Sequence, residues 1–186
     1  MSMTNGIIIV DHGSRRAASN EMLERVAQLF AERFADRYPI VEPAHMELAE
    51  PSIASAYAKC VARGAQRVIV APFFLGPGKH WTQDIPALTA AAAEPFPETR
   101  YHVSMTLGID NLILDLMEKR VSFCVNHEYR CEACTGSVRC DWREGGVRPV
   151  AREEAAHETG GTNTTLCGSC PFRGKEHEQP KQVTAV

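Results

Sequence analysis

The chain has no apolar run that could cross a bilayer. Gly6–Val10, the apolar run that opens the chain, is far short of the ~20 residues a spanning helix needs. Nor is there a surplus of positive charge: 20 Lys and Arg stand against 23 Asp and Glu, for a formal net charge of −3. That balance gives no reason to expect a polyanion-binding surface, and neither nucleic acid nor membrane is an expected partner. No basic segment leads into a longer apolar stretch at the start, so no secretory signal is read and a cytoplasmic protein is expected. Before residue 124 there is one cysteine, Cys60, which leaves no material for a disulfide framework there. The full glycine fingerprint of a dinucleotide site is also missing.

What is present is an ordinary core composition, 44% hydrophobic, in a strand–helix alternation repeated four times. Gly6–Val10 reads as a buried strand. A helix follows, capped by Ser19, with Leu23, Val26, Ala27, Phe30 and Phe34 in its apolar stripe. Ile40–Glu47 is the second strand. Pro51-Ser52 opens a helix whose apolar face holds Ile53, Ala56, Tyr57, Cys60 and Val61, and Gly64 closes it as a left-handed cap. The β-branched run around Val68–Ala71 is the third strand; Tyr101–Leu107 the fourth; Asn111–Val121 the last core helix. The expected fold is α/β: a four-stranded parallel sheet with helices on both faces, in the order 2-1-3-4. Residues 1–123 form this domain, 124–140 a cysteine-rich segment, and 141–186 a flexible tail with a C-x-x-C pair, its part from Asp141 to Thr165 reading as a mobile linker.

In the order 2-1-3-4, strands 1 and 3 are neighbours and the chain reverses direction between them. Ligands bind at such a crevice, outside the carboxyl ends of the strands. The loop after strand 1, Asp11-His12-Gly13-Ser14-Arg15-Arg16, carries His12. The loop after strand 3 lies in Pro72–Pro86, PFFLGPGKHWTQDIP, and carries His80; Thr82 reads as the cap of the next helix, with Asp84 in its first turn. Two imidazoles at one cleft could hold a divalent ion loosely and take up protons near neutral pH. Metal insertion into a tetrapyrrole needs both, since two pyrrole N–H protons must leave. Lys79, Arg15 and Arg16 flank the site and suit substrate carboxylates. Glu47 is a third polar candidate.

Blander readings stand beside these. Either histidine could be a loop or capping residue, Arg15 and Arg16 merely solvated, and Gly13 and Ser14 a phosphate cradle. His45 and His102, inside strands 2 and 4, read as structural. Trp81 reads as loop packing or as a platform for a macrocycle.

Three separated stretches, IIIVDHGSRR (Ile7–Arg16), VEPAHMELAEPS (Val41–Ser52) and Pro72–Pro86, together carry a resemblance. The chain resembles the short class II chelatases of the CbiX/SirB type, and among them the plastid-type sirohydrochlorin ferrochelatases, over about residues 6–140. The resemblance implies that His12 and His80 are metal-handling and catalytic, and that Fe²⁺ is inserted into sirohydrochlorin to make siroheme. Ser14, Arg15, Lys79 and Glu47 become candidates for substrate binding. It also implies a homodimer, because a short chain supplies half of the bilobal chelatase fold. Cobalt or nickel insertion into a related tetrapyrrole is the alternative within the same chemistry; a non-catalytic metal or tetrapyrrole carrier is the alternative outside it. Two positions depart from the family, which usually has a bulky apolar residue and an arginine where this chain has Gly76 and Lys79. A glycine loosens the loop, and a lysine keeps charge without the bidentate fork.

Six of the 7 cysteines lie from residue 124 onward. The spacing Cys124-x6-Cys131-x2-Cys134-x5-Cys140 suits four thiolates on a [2Fe–2S] cluster or on structural zinc. Resemblance to the tail of the plastid-type enzymes favours the cluster. Cys167 and Cys170 lie beyond the resemblance and could be a second metal clip, a redox pair or two free thiols.

Overall fold

A computed structural model of the chain describes residues 3–126. The order is β1 (Asn5–Asp11), α1 (Ala17–Arg33), β2 (Ile40–His45), α2 (Ile53–Ala62), β3 (Arg67–Pro72), α3 (Ile85–Ala93), β4 (Arg100–Val103) and α4 (Asn111–Asn126). All strand pairings are parallel, in the order β2-β1-β3-β4. The expected topology is therefore the observed one, and β1 and β3 are neighbours. The chain divides into two units, Met1–Asn111 and Leu112–Val186; the sheet, α1, α2 and α3 belong to the first. Among the described residues no helix is long and apolar enough to cross a membrane.

β1 sets the sheet because it is buried on both faces. Alternation along a strand sends Ile8 and Val10 to one side and Ile7 and Ile9 to the other. The first side packs with Ile53, Ala56, Tyr57 and Cys60 of α2 and Ile85, Ala92 and Ala93 of α3. The second packs with Leu23 and Ala27 of α1. Full burial of one such aliphatic side chain stabilises by about 1.5–3 kcal/mol, so this strand has the strongest reason to be central. β2 is an edge strand, where Pro43 costs no ladder bond on its open side. Within the first cluster Cys60 is fully buried, and desolvation pushes its thiol up to about 12. An inert packing residue is the result.

The helix ends show which local signals held. Ser52 caps α2, its side chain accepting from the Ser55 N–H. Gly64, at φ +93°, ends that helix in a Schellman motif: its N–H donates to the Val61 carbonyl, and the Ala65 N–H donates to that of Cys60. Ser19 does not cap α1. The helix begins at Ala17, after Arg16, with no side-chain cap. Asn20 instead ties the preceding loop, accepting from the Ser14 N–H and donating to the Ser14 carbonyl, both at 2.9 Å.

Three further boundaries shift. β2 ends at His45 rather than Glu47, and β4 ends at Val103 rather than Leu107. Past Val103 the chain leaves the ladder and runs beside the loop after β3, with Leu107 N–H on Phe74 O and Gly108 N–H on Leu75 O. α4 continues to Asn126, so Cys124 lies in its last turn.

Candidate active site

The loop after β1 turns at Gly13, whose φ of +81° is open to glycine with little strain. A Cβ there would lie 2.3 Å from the Glu47 carbonyl oxygen, so the position also needs the absence of a side chain. That close approach is maintained by a short continuation of the β1–β2 pairing: Met46 N–H donates to Asp11 O at 2.8 Å, and Glu47 N–H to His12 O at 3.2 Å. Beneath it, the Asp11 carboxylate takes the Gly13 N–H at 2.9 Å and His45 Nδ1 at 2.6 Å. His45 is fully buried and its Nε2 has no partner among the described residues. Its structural reading fits this position. His102 does lie in β4, but on an exposed edge rather than in the core.

These bonds set His12 beside Glu47, with Nε2 2.6 Å from Oε1. The other ring nitrogen, Nδ1, faces the Gly13 carbonyl at 3.3 Å. Both nitrogens of His12 thus meet acceptors.

The loop after β3 reaches the same place from the other strand. Thr82 is not a helix cap. The helix is already under way at His80, in a π-helical turn over His80–Asp84 that runs on into α3. Thr82 lies inside that turn, its hydroxyl donating back to the Gly78 carbonyl at 3.1 Å. Asp84 lies four residues beyond His80 on the same face, and its Oδ2 is 2.8 Å from His80 Nδ1. Lys79 Nζ stands 3.8 Å from the other oxygen, Oδ1. The Trp81 indole N–H donates to Ser104 O at 2.9 Å, anchoring the turn to the chain just past β4. Loop packing is therefore what this tryptophan does.

Across the β1–β3 boundary the rings of His12 and His80 meet edge to face, their centroids 5.2 Å apart and their planes at 65°. Phe74 lies against His80 at 6.3 Å. The predicted convergence of two distant histidines is thus the arrangement observed, with a carboxylate on each ring. Among the described residues no three of His, Cys, Asp and Glu close into a cage for a metal ion.

The remaining candidates fall around this pair. Arg15, Arg16 and Lys79 are exposed beside it. The phosphate-cradle reading of Gly13 and Ser14 fails, because their amides are already taken by Asp11 and Asn20. The Ser14 hydroxyl accepts from the Arg16 N–H. A Cβ at Gly76 would meet nothing within 4 Å, so the bulky residue usual there would have room. Sequence reasoning missed Asp84 as a partner of His80, although the i, i+4 spacing was a signal for it, and missed Asp11 and Asn20 as loop ties. Cys131, Cys134, Cys140, Cys167 and Cys170 lie outside the described residues.

Comparison with known proteins places this geometry. A family model described as CbiX matches residues 6–123. The chloroplastic sirohydrochlorin ferrochelatase of Arabidopsis thaliana is 52% identical over 140 residues, covering 73% of this chain and 61% of that protein. A sirohydrochlorin cobaltochelatase of Methanocaldococcus jannaschii is 45% identical over 82 residues, 44% of this chain and 56% of its own length. The chain therefore spans less than two thirds of the length of either relative. Among solved structures, SirB from Bacillus subtilis with Fe³⁺ superposes with a TM-score of 0.57 at 30% identity, covering 63% of this chain and 46% of that one.

Proposed function

The chain belongs to the CbiX family, and on that premise we propose that it is a sirohydrochlorin ferrochelatase, inserting Fe²⁺ into sirohydrochlorin. The observation that carries this reading is the pair of histidines in contact at the β1–β3 crevice, each with its own carboxylate. Neutral imidazole is a ligand of intermediate softness that suits Fe²⁺. Insertion releases two protons as two pyrrole N–H groups give way to two Fe–N bonds. His12 and Glu47, in direct contact, are the groups that receive them; His80 holds the ion against the ring. Arg15, Lys79 and Ser14 are the groups this reading assigns to substrate carboxylates, with Lys79 a single-point contact.

Cobalt insertion is the second reading, favoured by the similarity to a protein named a sirohydrochlorin cobaltochelatase. Parallel assays of sirohydrochlorin metallation with Fe²⁺, Co²⁺ and Ni²⁺ test both. Faster turnover with Fe²⁺ than with either rival is expected. Stoichiometric binding with no acceleration of metallation would sink the enzyme reading and leave a carrier.

The same proposal includes a homodimer. A four-stranded sheet leaves an open crevice, and this chain covers 46% of the SirB chain it superposes on. A symmetric pair would supply a second wall and bring four histidines together. Sedimentation should give twice the chain mass at micromolar protein; an active monomer would refute this.

A [2Fe–2S] cluster on Cys124, Cys131, Cys134 and Cys140 completes the reading, supported by their spacing and family resemblance. Anaerobically purified protein should be brown, with iron and sulfide near two each per chain for this cluster type. Serine at any of the four should bleach it. A colourless protein carrying one zinc would replace the cluster with a structural metal. Cytoplasmic localisation is part of the proposal, and recovery of the native protein from an organelle or membrane fraction would overturn it.

A further inference from the structure

The two histidines are held differently. His12 meets Glu47 through Nε2, while its Nδ1 is turned to the Gly13 carbonyl. His80 meets Asp84 through Nδ1, while no hydrogen bond engages its Nε2 among the described residues. A carboxylate only accepts hydrogen bonds. The nitrogen facing Asp84 must therefore carry the proton, and in the neutral ring the lone pair is left on Nε2.

We propose that Asp84 is a positioning residue that holds His80 in the Nδ1–H tautomer, making Nε2 the atom that first captures the metal ion. This rests on the chelatase reading for its consequence in turnover, though not for the tautomer itself. The division of labour then follows from geometry. His80 presents a lone pair before any ion arrives, whereas His12 must part from Glu47 to offer Nε2. His80 captures, and the His12–Glu47 pair handles protons.

Lys79 sharpens the arrangement. It lies near Oδ1 of Asp84 while Oδ2 faces His80, so the carboxylate has one oxygen for each neighbour. Asp84→Asn would break that symmetry. The ammonium of Lys79 has only donors and draws the amide oxygen to itself, turning the amide NH₂ toward His80. Nδ1 must then accept, the ring proton moves to Nε2, and the metal-capturing lone pair is lost. Asp84→Ala would remove the carboxylate without imposing the wrong tautomer.

A role in packing or helix stability predicts that alanine harms more than the near-isosteric asparagine. Tautomer control predicts the reverse, and that ordering is the test. Long-range ¹H–¹⁵N correlation spectra of the full chain, recorded on the neutral ring, should show His80 as Nδ1–H, with the signal assigned by its loss in His80→Gln. In Asp84→Asn the same ring should read Nε2–H. In metallation assays Asp84→Asn should raise KM for Fe²⁺ about 10–100-fold, the range for lost support of a metal-binding histidine, with a smaller change in kcat. Asp84→Ala should fall between it and the parent. An Nε2–H ring in the parent protein, an unchanged tautomer in Asp84→Asn, or a larger KM effect from alanine would each overturn the proposal. If the parent protein fails to metallate sirohydrochlorin, the chelatase reading falls, and the His80 tautomer still decides this inference.

Discussion

Alanine at His12 is expected to lower the rate of sirohydrochlorin metallation by about 10²–10⁴-fold, the range lost with an acid–base group. Alanine at His80 is expected to weaken metal capture by at least the roughly 10–100-fold lost with the support of a metal-binding histidine. The two rings touch, and each is the only imidazole its loop brings to the crevice. Among the described residues no other histidine can take over: His45 is buried behind the loop, and His102 lies out on β4. Neither ring belongs to the apolar clusters that hold the sheet, so thermal unfolding should change little. The two losses should differ in kind. His80→Ala should act mainly through KM for the metal, His12→Ala mainly through kcat. Near-parental rates in both variants would remove the pair from the chemistry.

Gly13→Ala is expected to be nearly as severe, though alanine adds only one carbon. Two costs coincide at this position. A residue with a Cβ at φ +81° is strained by about 1–3 kcal/mol. The added carbon would also lie 2.3 Å from the Glu47 carbonyl oxygen, a backbone atom that can retreat only by carrying Glu47 with it. Opening that gap by roughly 1 Å would separate Glu47 from His12, and misplacement on that scale costs about 10²-fold in rate. Gly64→Ala is the control. It shares the positive φ, with nothing within 4 Å of the added carbon, and it lies at the far end of α2. It should lose stability and keep its rate, with chemical denaturation and metallation measured side by side. Gly13→Ala with parental turnover would show that the loop is not the rigid support described above.

The fold was readable from residues because its signals are local and mutually consistent. Ile7 to Val10 are apolar without interruption, as a strand covered on both faces must be, while α1 and α2 keep a one-sided apolar stripe. With the rules of handedness, that alternation leaves few strand orders, and the observed one follows. The convergence of His12 and His80 was legible on the same basis, since the order 2-1-3-4 makes neighbours of the loops that bear them. Where local signals competed, the sequence misled. Ser19 and Thr82 have the side chains of helix caps, yet Asn20 and Gly78 offer these loops other hydrogen bonds, and each helix starts earlier than its apparent cap.

By itself, then, the sequence determined which elements form, their order in the sheet, and which two loops share a crevice, because periodicity, turn residues and connection handedness act over short spans of chain. Only the tertiary structure decided how the crevice is furnished. That Glu47 meets Nε2 of His12 while Asp84 meets Nδ1 of His80 depends on where two loops come to rest on the sheet. It depends also on the Asp11–His45 contact buried beneath one of them, between residues 34 positions apart. A hydrogen bond reads distance and angle to a few tenths of an ångström, and spacing along a chain does not carry that information.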